Sequence, residues 1–227
     1  MIVSIHQPQY MPWLPYFSKI ASADTFVFLD KVQYQKNGLH NRNELKNSNG
    51  RFWLTIPVSA NLGDKLNEVK ISDERWSKKH IKSIKINYGK SINYEFFTNH
   101  IQNILEQKIE NLVDVNIKII EIICRKYFNI DTQIIRQSEI DVRGEKSELI
   151  LNICKKLNAK VYLSGIGGKS YLKKSEFNKN KIDINYLENN PPQKYSQLHP
   201  KLGFINNISA LDFILNVGSD WSKYYTL

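Results

Sequence analysis

His6 stands at the end of a short apolar run, Ile2, Val3 and Ile5, and is the first side chain able to move a proton near neutral pH. An unperturbed imidazole titrates near about pH 6.5 and needs only a carboxylate or carbonyl partner to be oriented as a general base. Gln7, Tyr10 and Trp13 follow closely, in a stretch where Pro8, Pro12 and Pro15 fix φ and remove backbone donors, so a rigid, preset loop is expected. A second polar cluster runs from Asp30 through Gln33, Lys36 and Asn41 to Arg42. Asp30 suits the orienting of His6 or the binding of a substrate amine, and Arg42, between Asn41 and Asn43, suits bidentate contact with a phosphate or carboxylate. The third cluster, Ser164-Gly165-Ile166-Gly167-Gly168-Lys169-Ser170-Tyr171, turns backbone N–H groups toward a phosphate with Lys169 as the charge, although it has neither the Walker nor the GxGxxG spacing. Lys79 and His80, on a helix, are further candidates for substrate binding, as is Tyr195, which begins a fourth polar segment after Pro191-Pro192 that can return to the pocket. Each cluster also has a purely structural reading: a histidine capping its strand, a solvated loop arginine, a flexible strand-to-helix turn, a core stripe, a buried loop tyrosine.

The elements that must position these residues follow from hydrophobic periodicity. Strands are expected at 2–5, 25–29, 133–135, 160–163 and 182–187, with helices at 16–23, 146–157 and 209–216 and a short terminal helix after Ser219. Strand-like segments at 51–58 and 66–71 suggest a small β excursion, and helices at 72–88, 94–108 and 112–128 make a helical section over about 72–130. Trp76, His80, Ile84 and Tyr88 fall on one stripe at four-residue spacing. The expected fold is a single α/β domain over 1–227, with a mainly parallel, Rossmann-like sheet flanked by helices. In such a sheet the ends of the strands at His6, Asp30 and Ser164 share one edge, and one active site there is the expectation.

With 227 residues, 41% of them hydrophobic, the chain is long enough for a continuous core. No apolar stretch approaches the roughly 20 residues that cross a bilayer, and no secretory signal opens the sequence, so a cytoplasmic protein without membrane insertion is expected. Cys124 and Cys154 sit among Ile and Leu at helical spacing, as small buried hydrophobes do, and neither has metal-ligand spacing. No Gly-x-Ser-x-Gly elbow and no HExxH is present. Lysines are scattered among Asn and Ile across the whole chain, and the net charge of +10 comes without a nucleic-acid-binding motif. It points to a nucleotide-linked substrate or an acidic carrier protein rather than to specific nucleic-acid binding.

Taken together, His6-Gln-Pro-Gln-Tyr-Met-Pro-Trp13 with Tyr16, Ala23-Asp-Thr-Phe-Val-Phe-Leu-Asp30, Val32-Gln-Tyr-Gln-Lys36, Asn41-Arg-Asn43, Trp53-Leu-Thr-Ile-Pro-Val58, Trp76 with Lys79-His80, Tyr195-Ser-Gln197 and the segment from Leu211 to Gly218 resemble the WbqC-like family over almost the whole chain. Pro15 stands where that family usually has glycine. The resemblance implies a cytoplasmic protein of bacterial surface-polysaccharide (O-antigen, lipopolysaccharide) and nucleotide-sugar biosynthesis. Its preferred role is acyl or aminoacyl transfer to the amino group of a nucleotide-linked sugar, with no resident cofactor and with a carrier-protein phosphopantetheine thioester or a CoA thioester as donor. In that scheme His6 is the base, assisted by Asp30; Gln7, Asn41 or the Ser164-Gly165 turn stabilises the oxyanion; Arg42 and Lys169 hold phosphates; Tyr10 or Trp13 stacks on a ring. The opening strand-loop-helix-strand also looks like the start of a nucleotidyltransferase, without the paired-histidine signature. A non-catalytic sugar-nucleotide or carrier-binding protein is the third alternative.

Overall fold

In the computed structural model, which describes residues 1–188 and 191–227, β1 (Ile2–His6) leads through α1 (Leu14–Ala21) to β2 (Thr25–Phe28). An excursion follows, holding two antiparallel pairs, β3 (Arg42–Asn47) with β4 (Gly50–Thr55) and β5 (Val58–Ser59) with β6 (Lys70–Ile71). It continues through α2 (Trp76–Tyr88), α3 (Tyr94–Phe96), a π turn (Phe97–Ile101), α4 (Gln102–Leu105) and α5 (Leu112–Lys126). The chain then returns to the sheet as β7 (Gln133–Arg136), α6 (Lys146–Lys156), β8 (Val161–Gly165), α7 (Lys174–Lys179) and β9 (Asp183–Leu187), and closes with α8 (Ala210–Val217). The central sheet has five parallel strands in the order β7-β2-β1-β8-β9, the α/β, Rossmann-like arrangement expected from the sequence. Among the described residues no helix is long and apolar enough to cross a membrane. Asn189 and Asn190, which with Pro191 and Pro192 are expected from the sequence to close off the strand at 182–187, lie outside the described residues.

Successive strand side chains point to opposite faces, so β2 sends Phe26 and Phe28 one way and Val27 the other. Phe26 and Phe28 join a core built with α1, α5 and α8, whereas Val3, Ile5 and Val27 pack with α6 and with Phe177 of α7. Cys124 and Cys154 are free and buried in the two cores, and burial pushes both thiols up to about 12. The buried residues of α2 are Trp76, His80, Ile84 and Tyr88, the stripe read from their spacing.

Several boundaries differ from expectation for local reasons. The strand expected over 51–58 breaks after Thr55, because Pro57 has no N–H for a ladder. The strand expected at 66–71 is a 3-10 turn, Leu66–Glu68, followed by the two residues of β6. Arg42 and Asn43 begin β3 rather than lying in a loop. The helix expected from 72 starts at Trp76, since Asp73 takes the Arg75 N–H on its side chain in a turn of its own. α1 begins at Leu14, and Pro15 falls in the first turn, where a missing N–H costs nothing.

A buried polar network ties the C-terminal segment to this frame. Asp212 is fully buried, and its carboxylate accepts from Tyr88 Oη at 2.7 Å, Tyr195 Oη at 2.7 Å and Gln197 Nε2 at 2.8 Å. Tyr88 Oη in turn accepts the Lys46 N–H of β3 at 2.9 Å. Burial pushes the Asp212 carboxyl up, against the three donors that hold it ionised. Asp212→Ala removes one acceptor from three buried donors, each worth about 1–3 kcal/mol when left unpaired. The expected loss in urea unfolding is at least about 3 kcal/mol, with a smaller loss for Asp212→Asn, and a loss below about 1 kcal/mol would contradict the network's role.

Candidate functional site

In the sheet order, β1 is followed through α1 by its neighbour on one side, β2, while β8 lies on the other side and leads to β9. The crevice between the carboxyl ends of β1 and β8 is therefore the point where the topology reverses, and open α/β sheets bind ligands at such points. A cleft of about 330 Å³ lies there. His6 and Gln7 reach it from β1, Ser164, Gly165 and Tyr171 from the end of β8 and the 3-10 turn Ile166–Ser170, and Lys19 from α1. Of the residues singled out from the sequence, His6, Gln7, Ser164, Gly165 and Tyr171 are brought together here.

Hydrogen bonding fixes the protonation pattern of this cleft. His6 Nδ1 lies 3.0 Å from the Gln7 carbonyl, which can only accept, so Nδ1 carries the hydrogen and Nε2 is left as an acceptor. Tyr16 donates to the same carbonyl at 2.8 Å and sets its ring edge-on to the imidazole, 4.9 Å between centroids. Burial first, and the Lys19 charge second, hold the His6 imidazolium down to about 3, so the ring is neutral at physiological pH. His40 Nδ1 accepts the Gln35 N–H at 3.2 Å, which places the His40 hydrogen on Nε2, 2.8 Å from Gln7 Oε1. With its oxygen so engaged, Gln7 has its amide NH2 left as a donor.

Lys19 was not found by sequence reasoning. Its ammonium is buried, donates to the Ile5 carbonyl at 2.7 Å, and is lowered by desolvation to about 7. The available signal was its position as the one charged residue in the apolar run of α1. At the opposite wall Gly168 packs closely on Ser164: a Cβ there would press on Ser164 Oγ and come 2.9 Å from Leu172 Cδ1, so both side chains would have to shift, whereas one at Gly165 or Gly167 would meet nothing within 4 Å.

Other expected site residues lie elsewhere. Asp30 does not orient His6; both carboxylate oxygens take Ser138, through its N–H and its hydroxyl. Lys169 is exposed and sits over the Tyr186 ring at 5.1 Å, so the cleft's cation is Lys19 instead. Arg42 stacks on Trp53 at 4.4 Å and donates to the Asn37 carbonyl, and Asn41 donates to the Ile56 carbonyl at 2.8 Å. Tyr10 is fully buried and donates to His80 Nδ1 at 2.8 Å, while His80 Nε2 donates to the Thr55 carbonyl at 3.1 Å; this pair fixes the Pro8–Trp13 loop and cannot stack on a ligand. Lys79 is exposed and paired with Asp73 at 3.0 Å, and Gln33 and Lys36 are exposed. Trp13 and Tyr195 line a separate cleft of about 290 Å³.

The WbqC-like protein family's profile matches residues 7–224. A relative from Mycobacterium tuberculosis, described as the uncharacterized protein Rv1507c, is 31% identical over 225 residues, covering 98% of this chain and 96% of its own. No solved structure matches the chain significantly.

The buried titratable groups set a pH dependence of stability. Burial lowers His6 from 6.5 to about 3, and His40 and His80 to about 4. Between those values and 6.5 the unfolded chain binds more protons than the native one, so stability falls as pH falls from about 6.5 to about 4. Lys19, lowered from 10.5 to about 7, acts in the same sense in its own window: unfolding takes up a proton there, so stability rises from about pH 7 to about 10.5. Denaturant titrations across pH are expected to show His80→Gln flattening the acid limb and Lys19→Met flattening the alkaline rise. Unchanged slopes would show that these groups titrate normally.

Proposed function

The chain belongs to the WbqC-like protein family, and from that premise and the cleft between β1 and β8 we propose a transferase of bacterial surface-polysaccharide and nucleotide-sugar biosynthesis. It acts in the cytoplasm and moves an acyl or aminoacyl group from a thioester to the amino group of a nucleotide-linked amino sugar. The observation that carries this reading is the meeting, at the sheet's reversal point, of an unprotonated imidazole nitrogen on His6 with the buried ammonium of Lys19.

The neutral sugar amine attacks the thioester carbonyl carbon, forming a C–N bond and a tetrahedral oxyanion. His6 Nε2 takes the proton released from nitrogen. As the C–S bond breaks, the imidazolium returns that proton to the departing thiolate. Donors from the Gln7 amide and from the backbone of the Ser164–Gly168 turn face the developing oxyanion. Lys19 meets the diphosphate. The ligand's negative charge raises both Lys19 and His6 toward their charged forms, and so lifts the imidazole from the low basicity that burial and the Lys19 charge give it.

Nucleotidyl transfer is the second reading. It is favoured by the strand order, because the reversal point of such a sheet is where nucleotides bind. A third, a non-catalytic sugar-nucleotide or carrier-binding protein, has the same cleft and tolerates loss of His6.

A thermal-shift panel of nucleotide-linked amino sugars, acyl thioesters, and nucleoside triphosphates with magnesium separates these readings. A true ligand at 100 times its dissociation constant stabilises by about 2.7 kcal/mol. The transferase reading expects the sugar nucleotide and a thioester to stabilise. His6→Ala is expected to lower turnover about 100-fold or more with affinity nearly intact. Lys19→Met is expected to weaken sugar-nucleotide binding by about 30-fold or more, as loss of a buried charged partner does. Stabilisation by triphosphate and magnesium alone would favour nucleotidyl transfer, and full activity of the His6 variant would overturn its role as base.

A further inference from the structure

Residues 143–181 hold ten Lys or Arg against three Glu, and so carry most of the chain's net charge of +10. Because the strands are parallel, this surplus divides between two edges of the sheet. Lys155, Lys156 and Lys160 lie at the edge where β8 begins, whereas Lys146, Lys169, Lys173 and Lys174 follow strand ends on the edge that carries the cleft. The start of α6 and the start of α7 are held together there, since the Lys173 N–H donates to buried Ser147 Oγ at 2.9 Å. That bond gathers Lys146, Lys173 and Lys174 into one patch. All three are exposed and in none of the ion pairs found among the described residues, and exposed Glu145 and Glu148 leave the patch a positive surplus. In the connection between β8 and α7, Ile166 and Tyr171 are 45% and 46% exposed, and Tyr171 is also a wall of the cleft.

We propose that this patch, the rim formed by Lys146, Lys173 and Lys174 around half-exposed Ile166 and Tyr171, is the docking surface for an acidic carrier protein that delivers the acyl group into the cleft as a tethered thioester. The inference rests on the transferase reading and names its donor. A small anion that enters the cleft meets Lys19 inside, whereas the rim lysines are outside the cleft lining, where a ligand larger than the cleft reaches them. Exposed cations around a few apolar side chains complement a partner with acidic residues around an apolar patch, and such charges chiefly accelerate and orient encounter. A membrane surface fits less well, because α7 has only six residues and turns its Phe177 inward.

The test measures equilibrium binding of a phosphopantetheinylated acyl carrier protein to the full chain over a range of salt, with no turnover required. The wild-type chain is expected to bind with affinity that falls steeply as salt rises. Lys146→Glu/Lys173→Glu/Lys174→Glu is expected to weaken binding at low salt at least about 10-fold. Lys155→Glu/Lys156→Glu/Lys160→Glu, with the same change in net charge on the opposite edge, is expected to stay within about twofold, since exposed charges beyond a Debye length are screened. Matching melting temperatures exclude misfolding as the cause. The proposal is overturned if the carrier does not bind, if both triple variants lose affinity equally, or if duplex DNA or vesicles containing phosphatidylglycerol bind the rim more tightly than the carrier. Sugar-nucleotide binding without carrier binding would remove the docking surface and leave a transferase using a soluble thioester. Carrier binding with no sugar nucleotide accepted would instead remove the transferase reading.

Discussion

Gln7 is the joint on which the proposed site hangs. Its backbone carbonyl receives both the His6 imidazole and the Tyr16 hydroxyl, and its side-chain oxygen receives the His40 imidazole. One residue thus fixes the tautomer of His6 and the direction of its own amide. The loop beyond it has little freedom: Tyr10 donates its N–H to the Leu39 carbonyl at 3.0 Å, Asn43 donates to the Met11 carbonyl at 2.8 Å, and the Pro12 carbonyl accepts the Ala210 N–H at 2.9 Å. Binding groups attached to so constrained a loop lose little freedom when a ligand arrives, which is the physical meaning of preorganisation.

The electrostatics of the cleft follow from Lys19, which is in none of the ion pairs found among the described residues. Its ammonium has the Ile5 carbonyl as hydrogen-bond acceptor, and desolvation rather than a partner dominates its shift to about 7. In the proposed reading an anionic ligand would supply a countercharge to Lys19, so its binding would be linked to proton uptake by that lysine. The histidines contribute by staying neutral: an imidazole held to about 3 by burial presents a lone pair rather than a second positive charge. The cleft therefore presents one lysine beside a neutral imidazole rather than two fixed cations that repel each other.

Much of this was legible in the sequence. The apolar runs gave the parallel strands, and the polar turns after β1 and β8 marked two walls of the cleft. Tyr10, His80 and Tyr195 were read as ligand-facing because the residue types that bind ligands are also those that satisfy one another in a buried network; only packing separates the two. Arg42 looked like a loop cation because β3 sends Asn43 and Lys46 inward as well as Leu45, which erases the alternation of a half-buried strand. Asp30 follows its strand as a site carboxylate would, but the chain returns 108 residues later with Ser138 to occupy it. Lys19 was hidden by the same logic in reverse, since a lysine on a short helix is usually at the surface.

The most direct measurement is a backbone amide NMR titration of the ¹⁵N-labelled full chain with a nucleotide-linked amino sugar. The account predicts that the largest shift changes fall on Gln7, Gly165, Gly167 and Gly168 and on the amides around Lys19, with those of the Trp13–Tyr195 cleft unmoved. Changes concentrated at Trp13 and Tyr195, with Gln7 and Gly165 silent, would place the site in the other cleft and contradict it.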